Sequence, residues 1–415
     1  MAKKTSEKNN CGLSEEQFKR VEKAIADIKN GKLVMVLDDE SRENEGDLIC
    51  ACEFATPQNI NFMAANAKGL ICMPCSKEHA KKMNLDPMTF TNTDNHETAF
   101  TVSVDHKDTT TGISAYDRST TAVKFASAKS KPQDFRRPGH MFPLVAKDGG
   151  TLVRNGHTEA TVDLCVLAGL QPCGLCCEIM AENGKMARLD ELKSMAKKWN
   201  MTLIHIEELI EYRKATEKHV ICVAKANLPT KYGNFKIYGY QNTTTGEHHE
   251  VLVMGSVKNE QSVLTRIHSE CVTGDTFGSL KCDCGQQLEL ALSKIAENKS
   301  GVLLYLRQEG RGIGILNKIK AYALQEKGLD TVDANLALGL EEDSREYYTA
   351  AWILQDLGIT GVDLMTNNPK KIEGIEFYGS PVHVEKRIAL QIKPQKYDQF
   401  YLATKAMRMG HLLAE

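Results

Sequence analysis

Three cysteines, Cys271, Cys282 and Cys284, fall within the polar, glycine-rich stretch RIHSECVTGDTFGSLKCDCGQQ (266–287). No fourth cysteine accompanies them, and three thiolates suit a zinc ion that keeps one tetrahedral position free for water, an arrangement for catalysis. A closed zinc knuckle with a distant fourth ligand, or three ordinary buried thiols, would use the same residues. The neighbours favour the catalytic arrangement. Arg266, His268, Ser269 and Glu270 crowd one side of the first cysteine and Gln287 follows the last, a density of donors and acceptors that a purely structural knuckle does not need. Downstream, the apolar run 302–306 breaks into Glu309, Gly310, Arg311, Gly312, Ile313 and Gly314. Such a glycine-interleaved turn can bring backbone N–H groups and the Arg311 guanidinium up to a phosphate, or it can simply join a strand to a helix. It is no Walker A loop, because no Gly-Lys-Ser/Thr ends it, and the G-x-G-x-x-G spacing is also absent.

A second constellation lies in the other half. The apolar run 33–37, a predicted buried strand, breaks into DDESRENEGD (38–47). Such a run is ordinarily a solvated loop, but carboxylates beyond the end of a buried strand stand where open α/β sheets bind ligands. Hard oxygen ligands there suit magnesium. Two Gly-His pairs predict tight, accessible turns at His140 and His157, the latter flanked by Arg154, Thr158 and Glu159. Glu178 sits in the apolar, strand-like run 175–180, where a carboxylate must be partnered or have a raised pKa, and so is a plausible acid or base.

These residues need a scaffold. The alternation of strand-like and helical runs in both halves predicts a mixed α/β (α+β) fold in two domains, each a mixed sheet flanked by helices. A chain of 415 residues exceeds what one ordinary core holds, and the charged stretch YRKATEKH (212–219) offers a boundary, giving domains of 1–215 and 216–415. Ser14 caps a helix with Phe18, Val21, Ala24, Ile25 and Ile28 on one face, ended by Asn30 and Gly31, and residues 1–13 read as a disordered tail. Residues 98–104 alternate as a strand, and the hydroxyl-rich turn 109–118 leads into a helix, more as its cap than as a phosphate cradle. In the second half, 220–226, 234–240 and 250–257 read as strands, with His248 and His249 as solvated hairpin residues. Residues 288–296, 316–326 and 344–357 read as helices, the last with Asp343 and Arg345 at its N-terminal end.

A formal net charge of −2 gives no global field for nucleic acid, so an anionic substrate must be held by local Arg, Lys and metal. The polar N-terminus has no following apolar segment and nothing approaches a membrane span, which predicts a cytoplasmic protein. Thirteen cysteines, an odd count, read as reduced core thiols, Cys50, Cys52, Cys165 and Cys222 among them. The pairs Cys72/Cys75 and Cys173/Cys176 lie too far apart in sequence for a zinc ribbon.

Residues 266–287, EGRGIGILNKIKAYALQ (309–325), GLDTVDAN (328–335), Asp343 with Arg345, and Thr366 through Lys371 resemble GTP cyclohydrolase II. RENEGDL (42–48), TAFTVSVD (98–105), TGISAYDR (111–118), GHMFPL (139–144), GHTEATVDL (156–164) and CEIM (177–180) resemble 3,4-dihydroxy-2-butanone 4-phosphate synthase. That order resembles the fused, bifunctional riboflavin biosynthesis family. The resemblance implies that the first half converts ribulose 5-phosphate to 3,4-dihydroxy-2-butanone 4-phosphate and formate. Glu43 and His157 would bind Mg2+ or Mn2+, Arg42, Glu43, Asp47, Arg154, Asn155, Gly156, His157, Thr158 and Glu178 would hold the sugar phosphate, and His140 and Glu178 would move protons. Asn155 departs from the small residue expected there. For the second half it implies hydrolysis of GTP to a diaminopyrimidinone ribosyl phosphate, formate and pyrophosphate, with Zn2+ on Cys271, Cys282 and Cys284. Asp343 would accept a proton, Arg345 would attack the α-phosphate and Tyr322 would assist. GTP would be held by Arg266 to Glu270, Gln287, Glu309, Gly310, Arg311, Thr331, Thr366 and Lys371. It further implies a homodimer acting on these small molecules, with neither nucleic acid nor membrane as partner.

Overall fold

The computed structural model describes residues 12–340 and 343–392, so residues 1–11 of the predicted tail lie outside the described residues. Contacts divide the chain into two compact units, Leu13–Lys214 and one beginning at Ala215.

The first unit has strands β1 (Val34–Leu37), β2 (Gly46–Ala51), β3 (Cys72–Cys75), β4 (Val104–His106), β5 (Phe135–Val145), β6 (Gly174–Glu178) and β7 (Leu203–His205). Its helices are α1 (Glu15–Lys29), α2 (Pro57–Phe62), α3 (Lys77–Lys82), α4 (Ala115–Ala126), α5 (His157–Leu167), α6 (Leu189–Trp199) and α7 (Ile206–Thr216). The sheet runs β4-β5-β3-β6-β2-β1-β7 and is mixed, with β3/β5 and β1/β7 parallel. β1 and β2 are buried at every position, because both faces of the sheet are covered. Alternation sorts Met35, Leu48, Cys50 and Cys177 into a core shared with Ile60, Phe125 and Leu192, and Val34, Val36, Ile49 and Cys176 into one shared with Val21, Ala24 and Leu164. Helix α1 starts as the sequence predicts. Ser14 Oγ accepts from Gln17 N–H while Gln17 Oε1 accepts from Ser14 N–H, a capping box that satisfies two otherwise orphaned donors.

The second unit has β8 (Val220–Thr230), β9 (Gly233–Asn242), β10 (His248–Met254), β11 (Val263–Ser269), β12 (Gly301–Leu306), β13 (Gly361–Met365) and β14 (His383–Ile388). Its helices are α8 (Cys284–Asn298), α9 (Gly314–Gln325), α10 (Thr331–Ala337), α11 (Tyr348–Asp356) and α12 (Pro369–Glu373). The order is β14-β13-β11-β12-β10-β9-β8, parallel from β14 through β12 and antiparallel beyond. Among the described residues no helix is long and apolar enough to cross a membrane.

Several sequence expectations change. The strand expected over 98–104 is only β4, with isolated bridges at Phe100 and Thr101. Val145 N–H donates to Ala99 O and Thr101 N–H to Pro143 O, which makes the Phe100 bridge, but Pro143 has no N–H to donate back and the ladder stops there. Gly139 and His140 lie inside β5 rather than in a turn; a Cβ at Gly139 would stand 2.2 Å from the Val104 carbonyl carbon, so the glycine serves close strand approach. Gly46 and Asp47 already belong to β2 instead of the acidic loop. Helix α11 starts at Tyr348, because Asp343 Oδ1 accepts from Arg345 N–H and offers a local turn in place of a helical start. Cys222 is exposed on β8 rather than buried.

The two C-x-x-C pairs meet across the sheet, Cys72 opposite Cys176 and Cys75 bridged to Cys173. Residues three apart on a strand face opposite ways, so they form one pair in each core rather than one cluster.

His248 is exposed as expected, but the alternation of β10 turns His249 inward to 2% exposure, where its Nδ1 accepts from Arg307 N–H. Burial pulls its imidazole down to about 4. The unfolded chain takes up this proton near pH 6.5 while the folded one does not, so the stability His249 contributes is full above that pH and is lost as pH falls toward about 4. His249→Asn, which keeps an acceptor for Arg307 N–H, is therefore expected to lose on the order of 2 kcal/mol less stability than the natural chain between pH 7 and pH 5. Urea unfolding of the second unit at the two pH values checks this, and equal losses would contradict it.

Candidate functional site

In the first unit the site forms where the end of β1, the start of β2, the end of β6 and the N-terminus of α5 converge. Asp47 and Glu178 are register partners, and His157 is the first residue of α5. The connecting loop is organised by Asp38, whose fully buried carboxylate accepts from the N–H groups of Glu43 (3.1 Å) and Glu45 (2.8 Å) and from Arg42 Nη1 (2.9 Å). Arg42 Nη1 also reaches Glu43 Oε2 at 2.6 Å. Asp38, Glu43 and His157 bring their ligand atoms within 4.8 Å of one another. His157 Nε2–H donates to Val36 O (3.1 Å), which leaves Nδ1 facing Glu43 Oε2 and Asp47 Oδ1, each at 3.8 Å.

The charges in this cluster explain its titration. The facing His157 imidazole, with Arg42 beside it, draws Glu43 down to about 2, and burial pushes the Asp47 carboxyl up to about 7. Burial alone would lower His157, but Asp47, Glu43 and Asp38 outweigh it and lift the imidazole to about 9. A group of anions strong enough to hold that proton fits a divalent cation, with Nδ1 and the oxygens of Asp38 and Glu43 as ligands and Val36 O orienting the ring.

The remaining predicted residues surround this point. Gly156 N-caps α5, so the N–H groups of His157 and Thr158 belong to a helix N-terminus. Arg154 Nη1 pairs with Glu159 Oε2 (2.5 Å) and Nη2 donates to His96 O (3.0 Å), while Asn155 is exposed. Glu178 is half-buried and partnered: Oε2 accepts from Leu70 N–H at 2.8 Å. His140 is not in this cluster. Register through β3 sets it level with Glu178 on the same face but two strands away, about 10 Å. Its Nδ1 lies 2.7 Å from Asp105 Oδ2.

In the second unit Cys271 follows β11, Cys284 opens α8 and Cys282 precedes it. The three sulfurs lie within 4.8 Å of one another, with Cys271 and Cys282 3.7 Å apart. Tetrahedral zinc at 2.3 Å from each thiolate spaces sulfurs by about 3.8 Å, so the set fits that ion. A Cβ at Gly274 would stand 2.9 Å from Cys282 Sγ and 3.2 Å from Cys271 Sγ, which explains the glycine between the ligands. Hydrogen bonds from Cys282 and Cys284, and one from Lys318, hold Cys271 as a thiolate; that thiolate in turn pushes Cys282 up to about 11.

A cavity of about 290 Å³ opens over the cysteines. Of the predicted residues, Ser269, Glu270, Glu309, Gly310, Arg311, Tyr322 and Arg345 line it. Gly310 and Arg311 both adopt left-handed backbone, φ 63° and 67°, which presents the turn to the cavity. Glu309 clasps it to the cysteine loop, Oε2 accepting from Val272 N–H (2.6 Å) and Oε1 from Lys318 Nζ (2.8 Å). Arg311 Nη1 and Nη2, Ser269 Oγ and Gln308 Oε1 are buried without a hydrogen-bond partner among the described residues. Arg345 forms a bidentate pair with Asp343 (2.8 and 2.7 Å); burial raises that carboxyl, but the guanidinium outweighs it and holds the pKa below the usual range.

The other predicted contacts stand behind the wall. Ile267 lies within β11, its carbonyl accepting from Lys371 Nζ. Arg266 bonds Gln287 Oε1 and Met365 O. His268 bonds Asp275 and stacks on Tyr305, and Thr366 is buried after β13. Thr331 opens α10, and its side chain lies outside the described residues. Sequence reasoning did not single out Asp38, Asp275, Gln308 or Lys318. Lys318 Nζ, 3.0 Å from Cys271 Sγ, was within reach of it: it sits four residues before Tyr322 on α9, one helical turn away.

Comparison with known proteins follows the same division. The family model for 3,4-dihydroxy-2-butanone 4-phosphate synthase matches residues 22–212 and that for GTP cyclohydrolase II matches residues 221–389. "Riboflavin biosynthesis protein RibBA" of Bacillus mycoides (strain KBAB4) is 51% identical over 396 residues, 95% of this chain and 99% of the relative. Its counterpart in Bacillus subtilis (strain 168) is 52% identical over 397 residues, again 95% and 99%. A crystal structure of RibBX, described as a two domain 3,4-dihydroxy-2-butanone 4-phosphate synthase from A. baumannii, is 33% identical with a TM-score of 0.63, covering 89% of this chain and 99% of that one.

The sulfur geometry predicts that metal-stripped protein takes up cobalt(II) with intense thiolate-to-cobalt charge-transfer absorption. Cys282→Ser should weaken that absorption and Glu43→Gln should leave it unchanged; a spectrum indifferent to Cys282→Ser would contradict the site.

Proposed function

The chain belongs to the bifunctional riboflavin biosynthesis family, carrying a 3,4-dihydroxy-2-butanone 4-phosphate synthase and a GTP cyclohydrolase II, and from that premise we propose that the two side-chain clusters are its two active sites. The observation that carries this reading is that each family region contains its own close group of ligand atoms, Asp38/Glu43/His157 in one and Cys271/Cys282/Cys284 in the other. We assign residues 1–215 to the lyase, which converts ribulose 5-phosphate to 3,4-dihydroxy-2-butanone 4-phosphate and formate. Residues 216–415 are the hydrolase, which opens the imidazole ring of GTP and releases formate and pyrophosphate.

In the synthase, Mg2+ or Mn2+ bound by Glu43 and His157, with Asp38 as a third ligand, would polarise the sugar's carbonyl and hydroxyl oxygens. Arg42 and Asp47 contact the sugar phosphate, and the turn Arg154, Asn155, Gly156, His157, Thr158 receives its phosphate at the α5 N-terminus. Glu178, fixed by Leu70 N–H, and His140 carry protons.

In the cyclohydrolase, Zn2+ on the three cysteines would activate water for attack on the ring carbon between two nitrogens. Arg311, with two buried nitrogens that have no partner among the described residues, meets the phosphates together with the backbone of Gly310. As an Arg345 nitrogen bonds the α-phosphorus and pyrophosphate leaves, its proton has an acceptor in Asp343 at 2.7 Å. Tyr322 Oη stands 3.4 Å from Thr273 Oγ beside the cysteines. Arg266, His268, Gln287, Thr366 and Lys371 support the base-binding wall from behind.

A homodimer is supported by the exposed apolar Leu70, Ile113 and Tyr116 of the first unit, and a reducing cytoplasm by the many buried free thiols. One alternative is a single active half, as the A. baumannii protein is described by its synthase activity alone; the three-cysteine group favours activity in this second half. Cys282→Ser is expected to abolish formate release from GTP only, and Glu43→Gln that from ribulose 5-phosphate only. Loss of both activities in either folded variant would contradict two independent sites.

A further inference from the structure

Lys318 of α9 is an enclosed cation that the mechanism above does not use. Its side chain is only 12% exposed, yet it lines the cavity over the cysteines. An ammonium group has three N–H donors and no acceptor. One donor reaches Cys271 Sγ at 3.0 Å and another reaches Glu309 Oε1 at 2.8 Å. Tyr322, one turn further along α9, sets its ring centroid 5.8 Å from Nζ, within the range of a cation–π contact. A Cβ at Gly310 would stand 3.1 Å from Lys318 Cβ, so the glycine lets the turn close on the stem of the lysine. Glu309 does not depend on Lys318 for its own place. Its Oε1 also accepts from Gly310 N–H at 2.8 Å, and its Oε2 accepts from Val272 N–H at 2.6 Å. The carboxylate is therefore a fixed anchor that holds the ammonium against one sulfur of the three.

We propose that Lys318 is a positioning residue of the cyclohydrolase reaction, acting through Cys271: its hydrogen bond draws electron density off that thiolate and keeps the metal electron-poor. Zinc polarises water as a Lewis acid, and each thiolate that binds it gives charge back to it. A charge-assisted hydrogen bond into a sulfur lone pair withdraws part of that charge, which is how groups beyond the ligands tune a metal site. A phosphate contact would be the competing use of a cation in this cavity. Against it, Lys318 Nζ is already engaged by Sγ and Oε1, whereas both terminal nitrogens of Arg311 have no partner among the described residues. The inference rests on the reading of the three cysteines as zinc ligands.

Lys318→Met removes the charge and the donors while keeping an unbranched stem, and Glu309 retains its two backbone donors. In metal-stripped protein reloaded with cobalt(II), the thiolate-to-cobalt charge-transfer band of this variant should move to longer wavelength, because a sulfur without the hydrogen bond gives up an electron more easily. Formate release from GTP by the zinc-loaded variant should fall roughly 10- to 100-fold in kcat with KM little changed. Formate release from ribulose 5-phosphate by the same molecules should stay at the natural level. Lys318→Arg, which restores a charged N–H donor, should return the band toward its natural position. A band that stays in place in Lys318→Met overturns the proposal. So does a rise in KM with kcat unchanged, which would make Lys318 a phosphate contact instead. Absence of any charge-transfer band in the natural protein removes the three-cysteine reading on which the inference stands. Should Lys318→Met fail to fold, Lys318→Gln, polar, uncharged and one atom shorter, decides by the same comparison: a band at longer wavelength is expected, and an unmoved one contradicts the proposal.

Discussion

Crowding of negative charge around a small group of ligand atoms is the constraint on which both units depend. Like charges about 4 Å apart repel by about 4 kcal/mol at the effective dielectric near a protein surface, so such groups persist only where fixed donors and cations surround them. In the first unit Arg42 bridges Asp38 and Glu43, the loop N–H groups close on Asp38, and His157 holds a proton up to about pH 9. In the second, Lys318 lies against Cys271 and Glu309, and the N–H groups of Cys271 and Val272 are taken by Asp275 and Glu309. Each arrangement holds its ligands in place and leaves a field that favours a divalent cation.

The scaffold follows from that need. Residues that must converge come from the ends of strands and the first turns of helices: Asp38, Asp47, Glu178 and His157 in one unit, Cys271, Cys284 and the 309–312 turn in the other. Strand ends are fixed by buried ladders on both faces, so their positions are set by cores the chemistry does not disturb. Glycines mark where atoms come closest. Gly274 lies over the sulfurs and Gly112 over the Asp105–His140 pair, and at either place a side chain would collide with the functional atoms.

Local signals in the sequence were legible because they act locally. The Ser14 capping box, the buried strand at 34–37 and the C-x10-C-x-C spacing each need only a few neighbouring residues. Signals that depend on a partner far along the chain were not. The alternation at 98–104 reads as a strand, but the segment facing it carries Pro143, which has no N–H to continue the ladder past the Phe100 bridge. His249 looked solvated because hairpin position, not the facing of β10, was visible. Asp38 and Asp105 were passed over within quoted motifs, since a carboxylate that organises a loop and one that floats in solvent read alike without the donors around them.

The account claims two working active sites in one chain, and formate release by the purified natural protein tests it most directly. Formate from GTP, accompanied by pyrophosphate, and formate from ribulose 5-phosphate with magnesium, without pyrophosphate, is the predicted result. Formate from only one of the two substrates would contradict it and leave the silent half a scaffold or regulator.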